Sequence, residues 1–356
     1  MAPILNDYRR HSGKVETRTL EQFDVAYANL TNCDPGTDIA IVETATGEAI
    51  AYARVTWEDH GDGSRDLIVF TPTRPDHLSA PLFLAMVDAQ ERHARGMADG
   101  AVEVRFQADA PHPGPGQTPT GEAAWLESVG YQAVLFTATL VRPHLDDVPD
   151  RVLPTGVEVR PVLPEHVRAI WEAHQEAFRG AWNFHEPQEE EYQEFILNPL
   201  RDESLWKVAW AGDTVVGQVK TFINAEENAA MGYQRGYTEE ISTHADWRNQ
   251  GIAGALLAMS LQELKQRGMT DAALGAETDN PGGAFHLYTS LGFQLRAYEA
   301  IYTKPFIPAY RSFDGQPRLI VLRSNVSAMP TWTPVMFDRA TTMESGLTKG
   351  ITMSSS

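Results

Sequence analysis

The chain has 356 residues, 42% hydrophobic and 22% charged, the profile of an ordinary soluble globular protein with room for about two domains. Forty-eight acidic residues against 29 basic ones leave a net charge of −19, which repels nucleic acid and anionic membrane surfaces. A single cysteine, Cys33, excludes an intramolecular disulfide and a thiolate metal cluster.

Met1 to Lys14 lacks the apolar core of a signal peptide, and no run approaches the ~18 apolar residues of a membrane helix, so a cytoplasmic location without membrane association is expected. Residues 1–14 read as an N-terminal extension. Next comes a hairpin signal, Thr46-Gly47-Glu48, between two β-rich runs. An amphipathic helix through Leu84-Ala85-Met86 to Arg95-Gly96-Met97 follows, then Trp125-Leu126-Glu127-Ser128-Val129-Gly130-Tyr131. Pro143, Pro149 and Pro154 mark a linker, drawn at 146–155.

Beyond the linker the same series returns. Val157 to Pro161 reads as a strand, and Pro164-Glu165-His166 opens a helix carrying Val167, Ile170 and Trp171. Ala177 to Phe195 is rich in aromatic and acidic residues. Ala211-Gly212-Asp213 is a second hairpin, Leu257-Ala258-Met259 to Arg267-Gly268-Met269 matches the first-half helix, and Leu287 to Phe293 matches Trp125 to Tyr131. Three pairs in one order indicate two copies of one fold, at 15–145 and 156–308. The tail, 309–356, holds one β-like run, Leu319 to Leu322, and is otherwise Ser-, Thr- and Met-rich, open to disorder or to docking.

The copies differ where a ligand would sit. In the second, Arg248-Asn249-Gln250-Gly251-Ile252-Ala253 follows a strand-like run and opens a helix whose Leu256, Leu257, Leu261 and Leu264 form one apolar face. A helix N-terminus has unpaired N–H groups and partial positive charge, and Gly251 admits a ligand to the backbone. That suits a pyrophosphate, although a Gly and an Ala at a helix start also serve close packing. In the first copy the equivalent stretch is Pro75-Asp76-His77-Leu78-Ser79-Ala80, where Leu78 would crowd a phosphate; residual binding there would need Ser79 and neighbouring amides. The first copy therefore reads as a scaffold or substrate wall.

Together with Asp279-Asn280-Pro281-Gly282-Gly283-Ala284-Phe285-His286-Leu287-Tyr288-Thr289-Ser290-Leu291-Gly292-Phe293, this loop resembles the Gcn5-related N-acetyltransferase (GNAT) family, whose two motifs read R/Q-x-x-G-x-G/A and N-x-x-A-x-x-L-Y-x-x-x-G-F. One residue too many separates Asn280 from Ala284. The resemblance implies an α/β (α+β) fold, here two tandem GNAT domains, each a mixed, splayed β-sheet flanked by helices. It implies acetyl-CoA as acyl donor, no metal, and a cofactor site at Ile241, Ser242, Thr243, Arg248, Asn249, Gln250, Gly251, Ile252, Ala253, Gly254 and Asn280.

It further implies Tyr288 as the acid that protonates the departing thiolate, against the bland reading of a core aromatic, and a backbone N–H of Ile241-Ser242-Thr243 as oxyanion donor. The strand positions where relatives carry a base hold Tyr237 and Gly275. Glu239 shares a strand face with Tyr237, whereas Glu240 points the other way unless a bulge intervenes. Glu239 is thus the first candidate base and Glu240 the second, with His244 or a water chain behind them; two solvated glutamates at a strand start is the plain alternative. The tandem plan resembles mycothiol synthases, but Tyr237 in place of their strand carboxylate argues against that substrate.

The expected activity is acetyl transfer to a primary amine of a small molecule, a cationic one given the acidic surface and the arm of Glu186, Glu189, Glu190, Glu191 and Glu194, by a monomer or homodimer. An acyl-CoA sensor without turnover and a protein-lysine acetyltransferase are the alternatives.

Overall fold

The computed structural model describes residues 1–179, 181, 184–278 and 284–307, together with the backbone of 331–334. Asn280 and the run Leu319 to Leu322 lie outside the described residues. The first half comprises α1 (Ala2–His11), α2 (Leu20–Ala28), β1 (Ile39–Glu43), β2 (Ala49–Asp59), β3 (Ser64–Phe70), α3 (Ala80–Ala94), β4 (Glu103–His112), α4 (Gly121–Ser128) and β5 (Gln132–Arg142). The second comprises β6 (Glu158–Val159), α5 (Val167–Phe178), α6 (Glu189–Leu197), β7 (Lys207–Ala211), β8 (Thr214–Phe222), α7 (Ala225–Met231), β9 (Arg235–Thr243), α8 (Ile252–Gln266), β10 (Asp271–Glu277), α9 (Ala284–Ser290) and β11 (Gln294–Pro305). A short β12 (Thr331–Pro334) pairs antiparallel with β1.

The repeat is visible in how the helices stop. After α4, Gly130 takes φ +96° and the N–H of Tyr131 reaches back to the Leu126 carbonyl; after α9, Gly292 takes φ +84° and Phe293 N–H reaches back to Tyr288. Both are left-handed stops of the kind glycine adopts without a Cβ penalty, and both turn the chain into a strand.

One mixed sheet runs through both halves in the order β12-β1-β2-β3-β4-β11-β5-β10-β9-β8-β7-β6. Its centre is an exchange. β5 belongs to the first half in sequence, yet it pairs with β10 from Ala272↔Arg142 to Glu277↔Thr137. β11 belongs to the second half and pairs with β4 from Tyr298↔His112 to Pro305↔Arg105. The two exchanged strands also pair with each other.

Packing follows the exchange. Ala138 and Leu140 of β5 share a core with Leu256, Leu257, Leu261 and Leu264 of α8 and with Tyr288 and Leu291 of α9, whereas Ala300 and Tyr302 of β11 join Phe83 and Val87 of α3 and Leu126 of α4. The apolar face read from the α8 sequence is fully buried, and truncating Leu257 to alanine there costs about 2–5 kcal/mol.

Candidate active site

β9 and β10 run parallel, and their pairing covers only Asp271↔Arg235, Ala272↔Gly236 and Ala273↔Tyr237 before the strands part. On the outer side of β9 the register with β8 shifts between Gln218↔Ser242 and Lys220↔Glu239, so Glu240 and Ile241 together oppose Val219. Glu240 takes φ +46° at this bulge and its carboxylate pairs with Lys220, an ammonium itself almost buried against the Phe195 ring at 4.1 Å. Desolvation lowers the Lys220 pKa, and the carboxylate of Glu240 opposes that shift.

Glu239 has another fate. One carboxylate oxygen accepts from the Gly275 N–H at 3.1 Å, across the gap where the two strands separate. Its side chain lines a cavity of about 220 Å³ with Tyr237, Ala273 and Gly275. Burial, reinforced by the nearby charge of Glu16, pushes its pKa up to about 8. The two glutamates adjacent in sequence therefore differ in environment: one is held by a lysine, the other lies beside a cavity without a cation in contact among the described ion pairs.

The cavity has a roof that residue-type reasoning missed. Ser12, Lys14, Val15 and Glu16 line it, as does Arg9 of α1, while Glu299 of β11 closes its far side. Lys14 pairs with Glu299 at 2.7 Å and Arg9 with Glu16 at 3.0 Å. The roof is tied down by Glu227, 3% exposed, whose carboxylate accepts from Thr17 N–H at 2.7 Å, from Thr17 Oγ1 at 2.9 Å, and from the hydroxyls of Tyr233 and Tyr237. Tyr237 holds the roof in place, which gives that strand position a structural task. The signal available in sequence was the i, i+4 pair Ile4 and Tyr8, both buried in α1.

Beneath the sheet lies the loop before α8. Side chains alternate along a strand, and Ala272 and Leu274 pack into the α8 core, so Ala273 and Gly275 place the cavity on the opposite face. Gly251 caps α8 in the left-handed region at φ +83°, and a Cβ built there would meet no atom within 4 Å. No side chain caps the first turn, so the amides of Ile252, Ala253 and Gly254 begin the helix without a side-chain acceptor. Unpaired amides at an open helix start are the kind of feature that suits an anion.

The neighbours of Gly251 serve the loop itself. Arg248 donates to the carbonyls of Ala177, at 2.6 Å, and Thr243, at 3.3 Å; Gln250 donates to Asp246 at 3.2 Å; and Asn249 takes φ +61°. Ile252 is 1% exposed and packs inward, while Ala253 is half-buried. Ser242 is buried with its hydroxyl 3.2 Å from Gln218 Nε2, and Ile241 packs on the α8 core. His244 accepts from the Asp246 N–H at 3.3 Å and so serves as a local cap. Tyr288, 6% exposed, stacks edge-on against Phe293 at 6.3 Å. Burial, together with the Glu239 charge, pushes its phenol up to about 12, so the phenol stays protonated at neutral pH.

A mixed sheet flanked by helices, with a parallel strand pair that parts beside a left-handed glycine at a helix start, defines the GNAT class of α/β fold. At the level of fold the chain is similar to a GCN5-related N-acetyltransferase from Sphaerobacter thermophilus (TM-score 0.61, 22% identity, 85% of this chain and 91% of that one). It is similar also to a tandem GNAT protein from the clavulanic acid biosynthesis pathway (TM-score 0.60, 12% identity, 85% and 93%). No curated protein matches it in sequence. Residues 167–293 match the Acetyltransferase (GNAT) family.

Proposed function

We propose that the protein transfers an acetyl group from acetyl-CoA to a primary amine of a small molecule, with the second half catalytic and the first half a wall of the acceptor site. The observation that carries this reading is Glu239, a carboxylate with pKa about 8 at the edge of a cavity and at the gap between parted strands. Bound acetyl-CoA supplies a thioester carbonyl that an unprotonated amine attacks, forming the amide and releasing the thiol.

Three tasks fall to this chain. Glu239 takes the proton from the ammonium, which a carboxylate with a pKa near the working pH does best. Backbone N–H groups of Ile241 to Thr243 face the charge that develops on the carbonyl oxygen. Tyr288 gives its proton to the departing sulfur. The amides from Gly251 to Gly254 hold the pyrophosphate, and Asn280 is a further contact by its motif position. The roof from Ser12 to Glu16 supports a compact amine over an extended peptide as acceptor, and the net charge of −19 favours a cationic one.

The test is thiol release from acetyl-CoA across a panel of small primary amines. Turnover with at least one amine, reduced in Glu239→Gln, is expected. Saturable acetyl-CoA binding without thiol release for any amine would instead make the protein a sensor.

A further inference from the structure

A second cavity, about 300 Å³, lies between the halves, walled by β2, β3, α1 and α2 from the first and by α6 from the second. That is the lower end of ligand-cleft sizes, roughly 300–1,000 Å³. Its charged lining is balanced: Arg9, Arg18 and Arg54 face Glu58, Glu191 and Glu194.

Arg54 stands apart among these. It forms no ion pair among the described residues, its guanidinium lies over the rings of Phe70 at 5.3 Å and Tyr27 at 5.7 Å, and its Nε is buried without a hydrogen-bond partner. The buried hydroxyls of Tyr27 and Tyr52 lie at the same wall, where they act on one another and Tyr27 acts on Arg54, and Tyr52 as a whole is 0% exposed. A guanidinium and two phenols thus converge on one wall, with no carboxylate paired to the guanidinium among the described residues. Burying such groups is costly unless an acceptor arrives, and a carboxylate satisfies a guanidinium and two phenols at once.

The opposite side carries the complementary charge. Among the described residues Glu58 has only His185, at 3.8 Å, as a cationic contact, and Glu194 only Arg18, at 4.0 Å, whereas Glu191 is engaged by His185 at 2.7 Å. Glu58 and Glu194 therefore keep acceptor capacity for an ammonium. The stacked rings of Phe23 and Tyr27, with centroids 4.0 Å apart, line the space between and offer an apolar surface.

We infer that this cavity is a binding site for a small zwitterion of the α-amino-acid class, its carboxylate on Arg54, Tyr27 and Tyr52 and its ammonium towards Glu58 and Glu194. The site is separate from the acetyl-transfer cavity; Arg9 and its partner Glu16 stand between the two.

Calorimetry with the twenty L-amino acids, each beside its decarboxylated amine and its des-amino acid, tests the assignment on the full chain. At least one amino acid should bind saturably at one per chain, and neither analogue should match it. Arg54→Met should weaken that binding about tenfold or more, as loss of a charge-assisted contact predicts. Tyr52→Phe, which removes one hydroxyl, should weaken it less; thermal melting checks that both variants fold. Failure of every amino acid to bind, undiminished affinity in folded Arg54→Met or Tyr52→Phe, or equal binding of the des-amino acid would each overturn it. None of these outcomes depends on whether acetyl transfer occurs.

Discussion

Two helices at matching places in the repeat begin in opposite ways. α8 starts on Gly251, left-handed and open, with backbone N–H groups at its first positions. α3 starts on Ser79, whose side chain makes no cap, and carries Pro81 in its first turn, where one N–H is missing altogether. Leu78, matched to Gly251 by sequence and lying one position before the Ser79 cap, packs against the core of the first half. The same helix, on the same sheet, has an open, amide-lined start in one copy and a plain packing start in the other. The lesson is that backbone donors at a helix start lie open only where the residues around them leave room.

The comparison is broken most sharply at Gly251. Gly251→Asp combines a residue strained at φ +83° with a negative charge at the anion seat, and acetyl-CoA affinity should fall at least about 100-fold. Ser79→Asp at the start of α3 should leave it unchanged. Calorimetry on the two variants distinguishes one seat from two.

Next in size is Tyr288→Phe. Its first-half counterpart is Leu126, an apolar core residue, so only the second copy has a phenol to lose. Turnover should fall about 100-fold or more while affinity for acetyl-CoA stays within about twofold, as loss of a proton donor predicts. Steady-state kinetics beside direct binding separate these quantities.

Glu239→Gln should remove the rise in activity with pH through about 8 that deprotonation of Glu239 produces. Stability changes with it. The folded chain keeps this proton to about pH 8 while the unfolded chain loses it in the usual carboxylate range, so wild-type stability falls as pH rises through that window. The variant lacks this loss, and its melting temperature should gain on wild type between about pH 5 and about pH 8.5. A constant difference across that range would remove Glu239 from its assigned role.

Smallest of all is the effect expected from restoring the glycine. Leu78→Gly should lower stability by a few kcal/mol, roughly as for other large-to-small changes at packed positions, yet create no second acetyl-CoA site, because Pro81 still interrupts the amides. A binding stoichiometry of two would show that side-chain bulk alone silenced the first copy.

What could be read from the sequence was local. The α8 loop and its apolar stripe and both hairpins depend on residues within a few positions of one another, and each stands where the spacing placed it. The choice between Glu239 and Glu240 was half-legible. Alternation put them on opposite faces, but the bulge at Glu240 depends on how β8 registers against β9, which neither strand encodes alone. Least legible was the cavity roof. Nothing near Thr17 in sequence points to Glu227, which lies more than two hundred residues away and meets it only through the tertiary fold.

The crossed strands at the centre of the sheet set a schedule for the newborn chain. When the ribosome has made α4 and β5, the first half still lacks the strand that lies against β4; that neighbour, β11, emerges only after the second half through α9. Until then β4 has an open edge, and β5 waits for β10 and β11. Vectorial folding, half by half, is therefore denied to this protein although its sequence reads as two copies. A cut in the 146–155 segment would yield two fragments, each holding a strand that the other needs.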